Sequence, residues 1–214
     1  MIEASNLVFA YGATAVLRGI SLRVPEGEVT ALVGPSGSGK STLLGVLSGD
    51  LPGFEGTVVI DGTPVDGKER PPGLAQVYQD YRLVPFINAH ANVSLAIELS
   101  DHLSPQEIGE RAERELKAVG LSGRTGNLPI HLSGGEQQRV AIARAIATCP
   151  RYLLADEPTG SLDADNSVQI ARLLVEVARA RGVGVLVATH DPLVADVADH
   201  VVSIRDGRST RSVR

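Results

Sequence analysis

The stretch Gly34-Pro35-Ser36-Gly37-Ser38-Gly39-Lys40-Ser41 has the residue types and order that cradle a chain of phosphates. Gly34, Gly37 and Gly39 let backbone N–H groups turn inward onto a polyanion, and a helix opening at Lys40 adds the positive end of its dipole. Lys40 can reach the terminal phosphates, while the Ser41 hydroxyl can ligate the Mg²⁺ that travels with them. The context fits: Val29-Thr30-Ala31-Leu32-Val33 before it reads as a strand, and Thr42-Leu43-Leu44-Gly45-Val46-Leu47 after it as a helix. A bare strand-to-helix turn is the plainer reading, and it does not require the full pattern.

Further reactive residues stand at the ends of other apolar runs. Asp156 follows Leu153-Leu154-Ala155 and can complete a Mg²⁺ shell with Ser41. Glu157, directly after it, is placed to orient or deprotonate a water that attacks the terminal phosphate; alone, the two acids would only cap the turn at Pro158. His190 ends another run, where it is either a strand-end residue beside the Asp191-Pro192 turn or a site residue. Gln79 carries no signal by itself, and Tyr11 is either a rim residue or a ring that stacks on a flat base. Leu132-Ser133-Gly134-Gly135-Glu136 opens a helix with unpaired N–H groups, a second anion site. Two phosphate sites and one nucleotide per chain suggest two chains sharing two nucleotides in an isologous pair.

The elements that must position these residues read as α/β. Alternation over residues 2–9 and 20–24, with a further strand over 56–60, predicts an N-terminal antiparallel β layer. Short apolar runs at 74–78, 152–155 and 183–188 alternate with helical periodicity at 135–147 and 165–181, which makes a mostly parallel, covered sheet with its ligand at the strand C-terminal ends. Ser104-Pro105-Gln106-Glu107 is a capping box whose helix stops near Gly120, so residues 85–131 read as an α-helical lobe inserted in the body formed by 1–84 and 132–214. The 214 residues suit one such domain.

A net charge of −5, with no long block of like charge, disfavours nucleic acid as a partner. The single Cys149 cannot pair within the chain and reads as a small buried residue at a helix end. His90, His102, His131 and His200 lack partners at metal-ligand spacing. No apolar run approaches a membrane span, and the N-terminus has no signal-peptide pattern, so the expected location is cytoplasmic.

Tyr11, Gly34 to Ser41, Gln79, Leu132 to Glu136, Tyr152 to Glu157, Ser161-Leu162-Asp163 and His190 stand in an order and spacing that resembles ABC-transporter ATP-binding subunits over almost the whole chain. The resemblance implies a P-loop NTPase fold and hydrolysis of ATP with Mg²⁺ in a head-to-tail dimer. By position it implies that Tyr11 stacks on adenine, that Gly34 to Thr42 (including Pro35, Ser36 and Ser38) hold phosphates, and that Gln79 senses Mg²⁺ and the membrane partner. It further implies Asp156 as metal ligand, Glu157 as base, and His190 as support for the γ-phosphate. Ser133 to Glu136 would act across the dimer and Asp163 at its interface.

Residues 153–163 and 187–192 are similar to the MacB/LolD/FtsE group, whose ATPases pair with an integral-membrane permease in lipoprotein release, peptide or antibiotic efflux, or cell-envelope control. The subunit would then sit peripherally at the inner face of the membrane. Ala91 departs from the Glu usual there in that group. Rival readings are a soluble ABC ATPase of DNA repair or translation, an importer ATPase, and a protein that binds ATP only as a switch. No Asn-Lys-x-Asp for guanine occurs.

Overall fold

The computed structural model describes residues 1–67 and 69–212, with side chains given as far as residue 210. Five parallel strands make the central sheet: β3 (Val29–Val33), β6 (Leu74–Val77), β7 (Tyr152–Asp156), β8 (Gly184–Thr189) and β9 (His200–Arg205). A sixth, β10 (Arg208–Ser212), pairs antiparallel with β9, giving the order β10-β9-β3-β8-β7-β6. The phosphate loop leaves β3 in the middle of this sheet, flanked by β9 and β8, so the C-terminal ends of its neighbours surround it.

The parallel strands are apolar on both faces because both are covered. Leu32, Leu154, Leu186 and Ala188 pack on one side with α1 (Lys40–Leu47) and with a second, antiparallel sheet. Ala31, Leu153, Ala155, Val185 and Val187, their neighbours in sequence, pack on the other side with α4 (Gly134–Ile146) and α5 (Ala164–Arg181). The second sheet has the order β2-β1-β4-β5, from β1 (Ile2–Tyr11), β2 (Thr14–Val24), β4 (Glu55–Ile60) and β5 (Thr63–Pro64). Ser209 bonds Ser21 in both directions, tying β10 to this layer.

Between β6 and α4 the chain builds α2 (Ala89–Ser100) and α3 (Pro105–Ala118), whose Val93, Ile97, Ala112 and Leu116 join the α4 core. The Ser104/Glu107 capping box forms as its sequence pattern predicts. Asn92, fully buried, bonds Val84 N–H at 2.8 Å and the carbonyls of Val84, Ile87 and Asn88 at 3.1 Å each, clamping the segment that enters α2. Among the described residues no helix is long and apolar enough to cross a membrane.

Three features depart from the sequence reading. Cys149 is exposed rather than buried: it sits past the end of α4 in a left-handed turn (φ 48°), with its Sγ 2.7 Å from Arg111 Nη2. The β9–β10 hairpin and the short α6 (Pro192–Val197) were not foreseen.

Candidate active site

Backbone geometry builds the cradle first. Gly39 caps α1 in a left-handed conformation (φ 104°), which a side chain would strain. A Cβ on Gly34 would lie 2.3 Å from the Ile204 carbonyl of β9, so the loop can leave the sheet only as glycine. Gly39 in turn rests against Val16 and Leu17 of β2. Tyr11 stands at the tip of the same β1–β2 hairpin, half exposed and edge-on to Phe9 at 5.0 Å.

Lys40 is almost wholly buried, its ammonium donating to the carbonyls of Gly34 (2.8 Å) and Pro35 (3.3 Å) and lying 3.2 Å from Glu157 Oε1. Ser41 Oγ donates to Asp156 Oδ1 at 3.1 Å, joining the start of α1 to the end of β7. Burial pushes the Asp156 carboxyl above the ordinary aspartate range, and the Glu157 charge adds to this; the Ser41 hydrogen bond and Lys40 pull the other way. Glu157 is a non-glycine residue at positive φ (45°), held by its N–H on the Ala188 carbonyl of β8 at 2.8 Å. That twist directs its Oε2 to His190, 3.3 Å from the backbone N–H and 2.8 Å from Nδ1. A non-glycine residue kept in the left-handed region marks strain that the fold sustains locally.

Gln79 is exposed just past β6, its Nε2 close to Gly160 in the turn after Glu157. The structure therefore gathers Lys40, Ser41, Asp156, Glu157 and His190 into one cluster, with Gln79 beside it.

Ser133 and its neighbours form a separate station. No hydrogen bond or ion pair among the described residues links Ser133 to Glu136 with the P-loop. Ser133 caps α4 in a capping box: its Oγ accepts from Glu136 N–H (3.3 Å), and Glu136 Oε2 accepts from Ser133 N–H (2.8 Å). The Ser133 N–H holds the Glu136 carboxyl below the usual range, with the Ser133 hydroxyl and Arg124 contributing. Asp163 caps α5 through Asn166 N–H at 2.8 Å, and Asn166 packs so tightly on α4 that a Cβ on Gly135 would lie 2.3 Å from its Oδ1. The Ser133 and Asp163 turns are thus one packed unit. Asn166 and Arg124 carry no motif signal; Asn166 was findable only as the third residue after a capping Asp.

Oxygen donors from Ser41 and Asp156 at bonding distance suit a hard cation such as Mg²⁺. Ser38 Oγ, buried and without a hydrogen-bond partner among the described residues, lies in the loop itself, which fits a site built for an anion's oxygens. Among the described residues no group of three or more His, Cys, Asp or Glu could hold a metal.

A parallel sheet with the P-loop at its centre, an Asp-Glu pair at the end of β7 beside it, and a separate capped Ser-Gly-Gly helix start have the arrangement of an ATP-binding cassette. Residues 17–160 match the family model described as ABC transporter, and the chain belongs to that family. It is similar to the ATP-binding cassette MJ0796, described as a bacterial ABC transporter cassette. One dimeric structure of MJ0796 shares 34% identity over 99% of this chain and 98% of that one, with a TM-score of 0.86. Another, a dimeric post-hydrolysis state bound to ADP and Pi, shares 32% over 99% and 98%, with a TM-score of 0.85. CbiO1 from Clostridium perfringens, part of the CbiONQ transporter complex, shares 31% over 98% of this chain and 86% of its own, with a TM-score of 0.88. The protein is an ATP hydrolase of the ABC type.

Proposed function

We propose that two copies of this ATPase close head to tail on two Mg·ATP, and that each cycle drives a separate integral-membrane permease. The observation that supports the reading is the split of the motif residues: Lys40, Ser41, Asp156, Glu157 and His190 converge at one place, while the capped Ser133 helix start lies elsewhere on the same chain. The MJ0796 cassette, 34% identical, is dimeric.

In this reading the N–H groups of residues 34–42 and the Lys40 ammonium bind the β- and γ-phosphates, and Tyr11 stacks on the base. Ser41 and Asp156 would hold a Mg²⁺, with Gln79 as its sensor; the ion would neutralise phosphate charge. Glu157 takes the proton of the attacking water, and His190, bonded to its carboxylate, keeps that carboxylate aimed. Ser133, Gly134 and Gly135 donate to the partner copy's γ-phosphate, and Asp163 fixes their approach through Asn166.

A groove between β6 and the inserted helices supports the permease partner. Tyr78, Arg82 and Arg144 line it with Leu99, and Leu99 and Phe86 are about four-fifths or more exposed, at 80% and 88%. An exposed leucine beside arginines suits a short amphipathic segment of another protein, and Phe86 is a second exposed apolar group of the segment entering α2. The resemblance to the MacB/LolD/FtsE group makes an FtsX- or MacB-type permease the partner proposed. The test is Glu157→Gln: with Mg·ATP it is expected to sediment as a dimer, and a chain that remains monomeric while binding ATP would remove the shared-site reading. For the partner, Phe86→Asp together with Leu99→Asp should abolish co-purification of the permease from native membranes while basal ATP hydrolysis continues.

A further inference from the structure

Glu136 poses an electrostatic difficulty for the Ser133 site. Its carboxylate, held below the usual range chiefly by the Ser133 N–H, stands in the first turn of a helix that in the shared-site reading must accept a triphosphate. Like charges at that range repel. Both oxygens are, however, engaged: Oε2 accepts the Ser133 N–H, and Oε1 lies 3.0 Å from Arg124 Nε. Arg124 belongs to none of the sequence motifs. Its backbone is fixed by a bond from its N–H to Leu121 O (2.9 Å) and one from Asn127 N–H to its own carbonyl (3.0 Å). The neighbouring carbonyls of Thr125 and Asn127 accept the N–H groups of His90 and Ala89 at the start of α2, each at 2.9 Å.

We infer that Arg124 is a positioning residue of the nucleotide site: it cancels the Glu136 charge and holds the capping box, so that the Ser133 turn accepts the phosphates of ATP bound to a second copy. In the capping box Ser133 Oγ accepts from Glu136 N–H and Glu136 Oε2 accepts from Ser133 N–H, so the geometry of the turn depends on how that carboxylate is anchored. The arginine lets the helix keep an acid at its third position, where it favours the helix dipole, without presenting net negative charge to the ligand. The inference rests on the shared-site reading.

The experiment is a Mg·ATP titration of dimerisation in the Glu157→Gln chain, followed by sedimentation velocity. Adding Arg124→Ala should raise the ATP concentration at half-dimerisation several-fold, and Arg124→Lys, which keeps the charge, should raise it less. Adding Glu136→Gln to Arg124→Ala should bring the midpoint back, because glutamine still serves the capping box but carries no charge to cancel. An unchanged midpoint with Arg124→Ala overturns the inference. So does a raised midpoint that Glu136→Gln fails to recover, since Arg124 would then be only a tie between the 121–128 loop and α4. If the Glu157→Gln chain never dimerises on ATP, the shared-site reading itself fails, a result distinct from both.

Discussion

Glu157 is restrained more than a freely rotating surface acid: its backbone sits in the left-handed region on the Ala188 carbonyl, and its carboxylate lies between Lys40 and His190. A general base contributes roughly 10²- to 10⁴-fold to rate, so Glu157→Gln should cut phosphate release by about that factor while leaving ATP affinity within a few-fold. Equal turnover in the two chains would take the base role from Glu157. His190→Ala should lower turnover with little change in KM, since it acts by aiming a carboxylate rather than by holding ATP. The residue types at Lys40, Ser41, Asp156 and Glu157 were legible in the sequence because phosphate chemistry permits few substitutes. Arg124 and Asn166 were not, because their roles depend on which turns pack together, as Asn166 does against Gly135.

Helix ends carry the next level of organisation. Glu107 and Glu136 are both held below the usual glutamate value of 4.5, Glu107 chiefly by the Ser104 hydroxyl and Glu136 chiefly by the Ser133 N–H. A lowered folded value means the stabilisation is fully present above the ordinary carboxylate range and is lost as pH falls through the folded value. The melting-temperature difference between Glu107→Gln and the parent should therefore be largest near neutrality and close in acid. Asn92 has a different job: all its side-chain bonds go to the backbone of 84–88, so Asn92→Leu removes the partner of the Val84 N–H and of the Val84 and Ile87 carbonyls, while the Asn88 carbonyl keeps the residue-92 N–H. The substitution should cost about 2–3 kcal/mol and speed hydrogen exchange at the Val84 amide. An unchanged Val84 exchange rate would show that the clamp is not needed. At this scale α3 is legible from its capping box, while the β9–β10 hairpin lies outside the sequence reading although Asp206-Gly207 is a strong turn signal; Asp206 adopts the positive φ (52°) such a turn requires. Cys149 was misplaced because only the fold decides that the chain turns outward there.

For the molecule as a whole, the shared site predicts that Ser133→Arg in one copy of a mixed dimer blocks hydrolysis at the other copy's P-loop, measured with nucleotide analogues trapped on tagged subunits. Loss confined to the mutated copy's own P-loop would contradict it. The strand order has another consequence, for the protein's birth rather than its work. β3, which launches the phosphate loop, is bonded on its two sides by β8 and β9, so a segment that leaves the ribosome early waits for two that leave late. At about 5–20 residues per second that wait lasts on the order of ten seconds or more, with an unsheltered aliphatic ribbon. Nascent chains truncated before β8 should be captured by ribosome-associated chaperones and should retain no ATP, and both traits should change together once β9 emerges.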